Sequence, residues 1–207
     1  ILYRVDKINR IGSRIIKKQS IPVLKVYMFP YFPNPYQTNL KSELENMGLE
    51  VHLFKYKTPV DLIYVTIRHG KPEVIHFHWM DPFWSRKNKF IMVLYFSVFI
   101  FQLFLLKYIL KIKVFWTVHN LYPHKHYHKS LEKYFSMKMI RLADGIIAHS
   151  INNKEQIINE FNAEEFYNRI SVIPHGHFIN NYPNNVTHEE SRRSFNINTN
   201  DFVFLFL

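Results

Sequence analysis

The fold of this protein is decided by residues 74–118, which read VIHFHWMDPFWSRKNKFIMVLYFSVFIFQLFLLKYILKIKVFWTV. Two short runs that are typical of buried strands, Val74–Phe77 and Val114–Val118, flank a long apolar segment. Neighbouring parallel strands need a crossover connection, which is usually a helix. We therefore predict a βαβ unit in which Phe90–Leu106 forms a crossover helix that is apolar on nearly all faces.

This apolar segment is nearly long enough to cross a membrane. Its seventeen residues, with Ser97 and Gln102 as the only polar members, would rise about 25 Å as a helix, against about 30 Å for a hydrocarbon core. A spanning helix would place the two flanking strands on opposite sides of the bilayer, where they could not pair. We expect one side of the helix to pack on the sheet and the other to be covered by protein or to dip into lipid.

The alternation of strand-like and helical segments repeats six times along the chain. It predicts an α/β domain with a Rossmann-like parallel sheet and crossover helices. A first helix is expected to start at Asn34 and Pro35, with Gln37 completing a capping box, and to end at Gly48. The other predicted strands are Val23–Met28, Val51–Phe54, Gly145–His149 and Ile170–Ile173. Further helices are predicted at Asp61–His69, Leu131–Leu142 and Lys154–Phe161.

Length and composition limit the class of protein. The chain has 207 residues, of which 47% are hydrophobic, so it can bury a core and is not a disordered chain. This length suits one α/β domain plus part of a second. The absence of cysteine excludes a disulfide scaffold, a thiolate zinc site and a cysteine nucleophile, and it fits a cytoplasmic location.

Changes in composition predict four segments. Residues 1–20 form a basic arm, and residues 21–179 form the Rossmann-like domain. Residues 180–200 are polar and rich in asparagine, which is typical of a linker. Residues 201–207, DFVFLFL, are expected to be the first strand of a truncated C-terminal domain, or alternatively a strand added to the edge of the first sheet.

The net charge of +11 is concentrated in two places. Besides the basic arm, residues 86–141 carry eleven basic side chains and Glu132 as the only acidic one. This block also contains the apolar helix. Basic charge next to an apolar surface favours peripheral contact with an anionic membrane, at the inner face of the cell membrane, over binding of nucleic acid. An ordinary solvated basic face is the alternative.

Histidines follow four of the predicted strands. Ligands of open parallel sheets bind beyond the carboxyl ends of the strands, so these residues are expected to line one cleft. Their imidazoles can donate, accept and titrate near neutral pH, although any single one could be a packed bystander. The strand-end residues are His76, His78 and Trp79; His119 and Asn120; His149; and His175 and Gly176.

Other polar residues near this edge allow fewer conclusions. Asp81 is the only carboxylate in the loop after the third strand, where it could be a general base or could cap the turn. His124, His126 and His128 alternate in one loop, but neighbouring lysines disfavour a cation, so we expect no metal site. No glycine-rich phosphate loop follows the first strand, and no cofactor is expected. A phosphate could still bind at the helix N-terminus near residues 36–38.

Four motifs occur in an order that resembles a known family. They are HFHW at 76–79, TVHNLYPHK at 117–125, LADGIIAHS at 142–150 and VIPHGHF at 172–178. Together with the linker and the new apolar strand, they resemble the N-terminal half of GT-B glycosyltransferases, closest to the family 4-like enzymes of capsule and exopolysaccharide assembly. The resemblance covers about Val23 to Leu207.

The resemblance implies a two-domain enzyme with a cleft between Rossmann-like halves. The N-terminal half would hold a lipid-linked or polysaccharide acceptor, and the absent half would hold the nucleotide-sugar donor. It implies metal-independent transfer, a hexosyltransferase activity, and an isolated fragment that is inactive. The Gly-Gly turn that many members carry is replaced by Asn34-Pro35-Tyr36. The alternative is a non-catalytic or partner-dependent binding domain of the same fold.

Site residues are assigned on this basis. By resemblance, His119 is a catalytic residue near the donor sugar, and Asp81 is the base if transfer inverts the configuration. The donor-side cleft is expected to contain His149, His175 and Gly176. The residues expected to bind the acceptor are Tyr36, Gln37, His78, Trp79, Asn120 and His124.

Overall fold

The computed structural model describes residues 23–123, 125–179 and 181–204, and within them six strands form one parallel sheet. The strands lie in the order β2-β1-β3-β4-β5-β6. They are β1 Lys25–Phe29, β2 Glu50–Leu53, β3 Val74–Phe77, β4 Lys113–Thr117, β5 Gly145–Ala148 and β6 Ile170–Val172. Each overlaps a predicted strand, so the predicted Rossmann-like α/β fold is confirmed.

The helices of the described residues connect successive strands, except the last, which follows β6. They are α1 Pro35–Asn46, α2 Asp61–His69, α3 Asp81–Trp84, α4 Lys89–Phe104, α5 Lys129–Leu142, α6 Ile151–Phe161 and α7 His188–Ser194. A π-helical turn at Leu105–Ile109 extends α4, and a 3₁₀ segment at Glu164–Arg169 precedes β6. The carboxyl ends of all six strands therefore lie along the same edge of the sheet.

The start of α1 is fixed by local hydrogen bonds. Asn34 Oδ1 accepts from the Gln37 backbone N–H at 3.0 Å, and Pro35 takes the first helical position, as predicted. The predicted capping box is wrong, because the Gln37 amide is used elsewhere. It accepts from the Phe32 N–H and donates to the Pro30 carbonyl, both at 2.9 Å. The side chain is fully buried, and these backbone groups of the loop need partners there.

The apolar segment is a crossover helix, as predicted. β3 pairs with β4 in parallel, with Val74 opposite Lys113 and Phe77 opposite Trp116, and α4 connects them. The stretch Lys89–Ile109 is the one helix in the described parts of the chain that is long and apolar enough to cross a membrane. One third of it is buried within the protein, and both strands that it joins lie in the same sheet. It therefore runs beside the sheet.

The inner face of α4 is part of the main hydrophobic core. Its buried apolar residues are Met92, Phe96, Phe99 and Leu103. Phe96 stacks on Phe135 of α5, with ring centroids 3.7 Å apart. Stacked aromatic side chains fill much of the space between the sheet and its covering helices, and such pairs stabilise a core beyond the area they bury.

The C-terminal part differs from its prediction in secondary structure. α7 lies inside the predicted linker and begins with a capping box, in which Thr187 and Glu190 bond each other's backbone N–H. Of the strand predicted at 201–207, residues 201–204 form no strand, Phe202 and Phe204 are exposed, and residues 205–207 lie outside the described residues. The division into domains stays a prediction. The basic arm at 1–20 lies outside the described residues.

Candidate active site

Four histidine rings lie around Tyr36 at the carboxyl edge of the sheet. The Tyr36 ring lies 4.8 Å from that of His119, 4.7 Å from His175, 5.5 Å from His78 and 5.9 Å from His149, measured between ring centroids. Tyr36 is the second residue of α1, so the Asn34 cap sets its position. The predicted convergence of strand-end histidines therefore occurs, with a tyrosine at its centre.

Three of the histidines form a chain of hydrogen bonds. His78 Nδ1 lies 3.3 Å from His119 Nε2, and His119 Nδ1 lies 3.2 Å from His149 Nε2. His149 Nδ1 lies 3.1 Å from the Ile173 carbonyl oxygen. The chain thus connects the ends of β3, β4 and β5 and reaches the segment that follows β6.

Burial keeps these imidazoles uncharged. It lowers the pKa of His119 to about 3 and the pKa of His76 to about 4. Burial also lowers the pKa of His78 well below its ordinary value and lowers that of His149, and neighbouring histidines act in the same direction on both. At pH 7 each ring is neutral and offers one N–H donor and one lone pair.

A second polar chain lies beneath Tyr36. His76 Nε2 is 2.8 Å from Thr117 Oγ1, and both side chains are buried. A hydrogen bond with Thr117 favours the ionised Tyr36 hydroxyl, but burial has the larger effect and raises the pKa of Tyr36 above its ordinary value. Tyr36 is therefore a neutral hydroxyl at pH 7.

Two cavities lie beside this cluster, and they differ in size. The first has about 20 Å³ and is bordered by Trp79, Asp81, His119 and Asn120 among others, so it has room for about one water molecule. The second is a cleft of about 270 Å³ between α1 and the segment after β6. Only the cleft is large enough for an organic ligand.

The cleft is largely apolar. Leu40, Ile147, Ile173, Pro174 and Phe178 supply its apolar wall. The polar lining residues are Tyr36, Asn39, Glu43, His76, His149 and His177. No lysine or arginine lines it among the residues that the structure describes. This composition suits an uncharged ligand with hydroxyl groups better than a phosphate.

The predicted site residues fall into several groups. Tyr36, His149 and Gly176 line the cleft, although Tyr36 was assigned to the acceptor and the other two to the donor side. The exposed His175 packs on Tyr36. Residues at the small cavity are His78, Trp79, Asp81, His119 and Asn120. None of these roles is tested by position alone, so they stay predictions.

Gln37 and Asp81 each lie near the start of a helix. Gln37 is the third residue of α1, and its buried amide bonds backbone groups of the preceding loop, so its contact with an acceptor stays a prediction. His124 lies outside the described residues. Asp81 is the first residue of α3, and its role as a base or as a cap of the turn stays a prediction. Within the described part of the chain, no group of three possible ligand side chains is arranged to hold a metal ion.

Several residues of this region were not predicted from the sequence. Thr117 and the Ile173 carbonyl bond the histidines, and Asn39 and Glu43 extend the cleft along α1. Glu132 is also buried at the small cavity, where its carboxylate faces His126 at 3.2 Å. Its position as the only acid in a long basic block was a signal that could have identified it.

Comparisons with known proteins give one family and a similar solved structure. The family description Glycosyltransferase Family 4 matches residues 34–177, more than two thirds of the chain. A crystal structure of Anabaena HepE in complex with UDP and glucose is similar, with a TM-score of 0.46 and 14% sequence identity over 84% of this chain. This chain covers 50% of that structure. No curated protein matches the chain.

Proposed function

Because the chain belongs to glycosyltransferase family 4, we propose that it forms the acceptor-side half of a two-domain GT-B enzyme that transfers a hexosyl group from a nucleotide-sugar donor. The observation that carries the proposal is the cluster of Tyr36, His119 and His149 beside the cleft at the carboxyl edge of the sheet. Ligands of open parallel sheets bind at this edge. The donor-binding half would lie outside this chain.

His119 is the proposed catalytic residue. As a neutral ring it would form a directional hydrogen bond to the donor sugar, and it would not supply positive charge to the leaving diphosphate. The negative charge of the leaving diphosphate would instead be stabilised by helix N-termini and by the other half of the enzyme. Asp81, at the same small cavity, is the proposed base if transfer inverts the configuration. Metal-independent transfer is proposed because imidazoles bonded to one another are poor partners for the oxygen-preferring Mg²⁺.

The cleft is proposed to bind the acceptor, a lipid-linked sugar or a growing polysaccharide of the capsule or exopolysaccharide type. Its wall combines aromatic rings, Tyr36 and Phe178, with the polar groups Asn39 and Glu43. Rings of this kind pack on the apolar face of a sugar, while amide and carboxylate groups bond its hydroxyls.

The outer face of α4 is proposed to seat the enzyme on the membrane, peripherally and at the cytoplasmic side. Its exposed apolar side chains lie three, four or seven residues apart and include Phe90, Leu94, Phe101, Phe104 and Tyr108. Lys87, Lys89 and Lys111 are exposed near its two ends. An apolar helix face with flanking lysines is typical of proteins that bind anionic membrane interfaces.

The function is tested with the complete product of the gene that encodes this chain. Label transfer from a panel of nucleotide-sugars to extracted membrane lipid should be detectable, and His119→Ala should lower the rate by about 100-fold or more. His69→Ala, at the opposite edge of the sheet, is the matched control and should keep the parent rate. Residues 1–207 alone should show no transfer. Turnover of His119→Ala within a few fold of the parent, with an unchanged circular dichroism spectrum, would contradict the catalytic assignment.

A further inference from the structure

The chain of three histidines has a fixed direction. The Ile173 carbonyl can only accept, so His149 Nδ1 must carry the proton of that hydrogen bond. This carbonyl is itself held in place, because the Ile173 N–H donates to the Ala148 carbonyl at 2.9 Å. A neutral imidazole has one proton, so His149 Nε2 is a lone pair that accepts from its neighbour.

The same reasoning applies to the next two histidines. His119 Nδ1 must donate to His149 Nε2, which leaves a lone pair on His119 Nε2. His78 Nδ1 then donates to that lone pair. The last nitrogen, His78 Nε2, is unprotonated, and its buried lone pair has no hydrogen-bond partner among the described residues. The opposite direction would place the His149 Nδ1 lone pair against the carbonyl lone pairs, which is repulsive.

We propose that His149 is a positioning residue that fixes the Nδ1–H tautomer of His119, because the Ile173 carbonyl holds the proton of His149 on Nδ1. The lone pair that His119 offers to a ligand is then always on Nε2. The functional consequence of this inference rests on the proposed function. A sugar that binds His119 Nε2 must do so through a hydroxyl group that donates, and this hydroxyl takes the place of the His78 Nδ1–H. The tautomer itself does not depend on any activity.

The experiment reads the tautomer directly. Protein labelled with ¹⁵N-histidine gives long-range ¹H–¹⁵N spectra in which the protonated and bare ring nitrogens are distinguished, and the His119 signals are assigned by their loss in His119→Asn. At pH 7.5 the parent should show His119 protonated on Nδ1. In His149→Phe, which keeps an aromatic ring but removes both nitrogens, the Nδ1–H form should become the minority.

Two further variants separate positioning from packing. His175→Phe changes a ring whose centroid lies 6.5 Å from that of His119 and which is not in the chain, so the tautomer should stay Nδ1–H. His149→Gln supplies an acceptor oxygen again, and it should restore the Nδ1–H form at least in part. If His149→Phe fails to fold, the tautomer of His119 in the parent still tests the direction of the chain.

The inference is overturned if parent His119 is protonated on Nε2, or if His149→Phe folds and leaves its tautomer unchanged. Either result would leave the sugar-transfer proposal standing, because that proposal is judged by label transfer. Conversely, an Nδ1–H tautomer in a protein that shows no transfer would support the inference and contradict the proposed function.

Discussion

Trp79 lies flat on His119, with the two ring centroids 4.4 Å apart and the ring planes only 14° from parallel. The indole covers one face of the imidazole, while His78 and His149 hold its two nitrogens. The stacking contact thus restrains the tilt of the imidazole ring, and the two hydrogen bonds restrain its rotation. This restraint, together with burial, makes His119 a rigid and uncharged group.

We predict that Trp79→Ala will raise the pKa of His119 toward its ordinary value, because the removal of the indole exposes the ring to water. Histidine NMR titration measures the change directly. Trp79→Phe, which can still stack on the ring, should shift the pKa less. An identical titration curve in Trp79→Ala and the parent would contradict a role of the indole in covering His119.

Stability should decrease below neutral pH because of the buried histidines. His76 has a pKa of about 4 when folded and an ordinary one near 6.5 when unfolded, so below about pH 6.5 the unfolded chain binds more protons. The free energy of unfolding is therefore lost as the pH falls, by up to about 1.4 kcal/mol per pH unit for each such histidine.

This loss is measured by urea unfolding between pH 7.5 and pH 5. His76→Gln should give a shallower decrease than the parent, while His69→Gln, at an exposed position, should follow the parent. A parent whose stability does not change across this range would refute the neutral state of the cluster.

Gly145 has no room for a side chain. A Cβ atom there would lie 2.5 Å from Phe115 Cε1 on the neighbouring strand. Gly145→Ala should destabilise the fold by about 1–3 kcal/mol, as overpacked positions do. Gly176→Ala is the matched control, because its Cβ would meet nothing within 4 Å. Phe115→Leu combined with Gly145→Ala should recover part of the loss, and equal stability of the two single variants would contradict the prediction.

The proposed membrane face can be tested apart from catalysis. Leu94→Gln combined with Phe101→Gln should weaken sedimentation with vesicles that contain anionic lipid, because both side chains are exposed on the outer face of α4. Met47→Gln, an equally exposed apolar position at the end of α1, should not change binding. Unchanged binding of the double variant would exclude α4 as the contact surface.

The positively charged side chains of this region contribute unequally to such binding. Lys107 is paired with Asp144 at 2.9 Å and donates to the Leu142 carbonyl, so it already has partners within the fold. Lys87, Lys89 and Lys111 are exposed. We expect the triple replacement of these three by Gln to reduce vesicle binding and to weaken its salt dependence, whereas Lys107→Gln should mainly reduce stability.

The sheet could be predicted because its strands are short apolar runs with helical segments between them, and because the end of a parallel strand fixes the edge on which a residue lies. That is why His119 and His149 were expected to meet. The Ile173 carbonyl and Thr117 were not foreseen, since a backbone oxygen has no signature in a sequence and a strand threonine is common. α7 was missed although Thr187 and Glu190 have the spacing of a capping box, because the surrounding asparagines dominated the pattern.

The hydrogen bonds of Gln37 limit which residues of the binding surface can be substituted without displacing Tyr36. The Gln37 amide joins the Phe32 N–H to the Pro30 carbonyl, so the loop that precedes Tyr36 is tied to the start of α1. Substitutions in that loop would displace the tyrosine, and with it the whole histidine cluster. The next turn of α1 presents Leu40 and Glu43 to the cleft outside this set of hydrogen bonds, whereas the Asn39 amide is bonded to the Asn181 amide at 2.8 and 3.0 Å. A library that seeks new acceptor preferences should therefore vary Leu40 and Glu43 and leave Asn39 and residues 30–37 as they are.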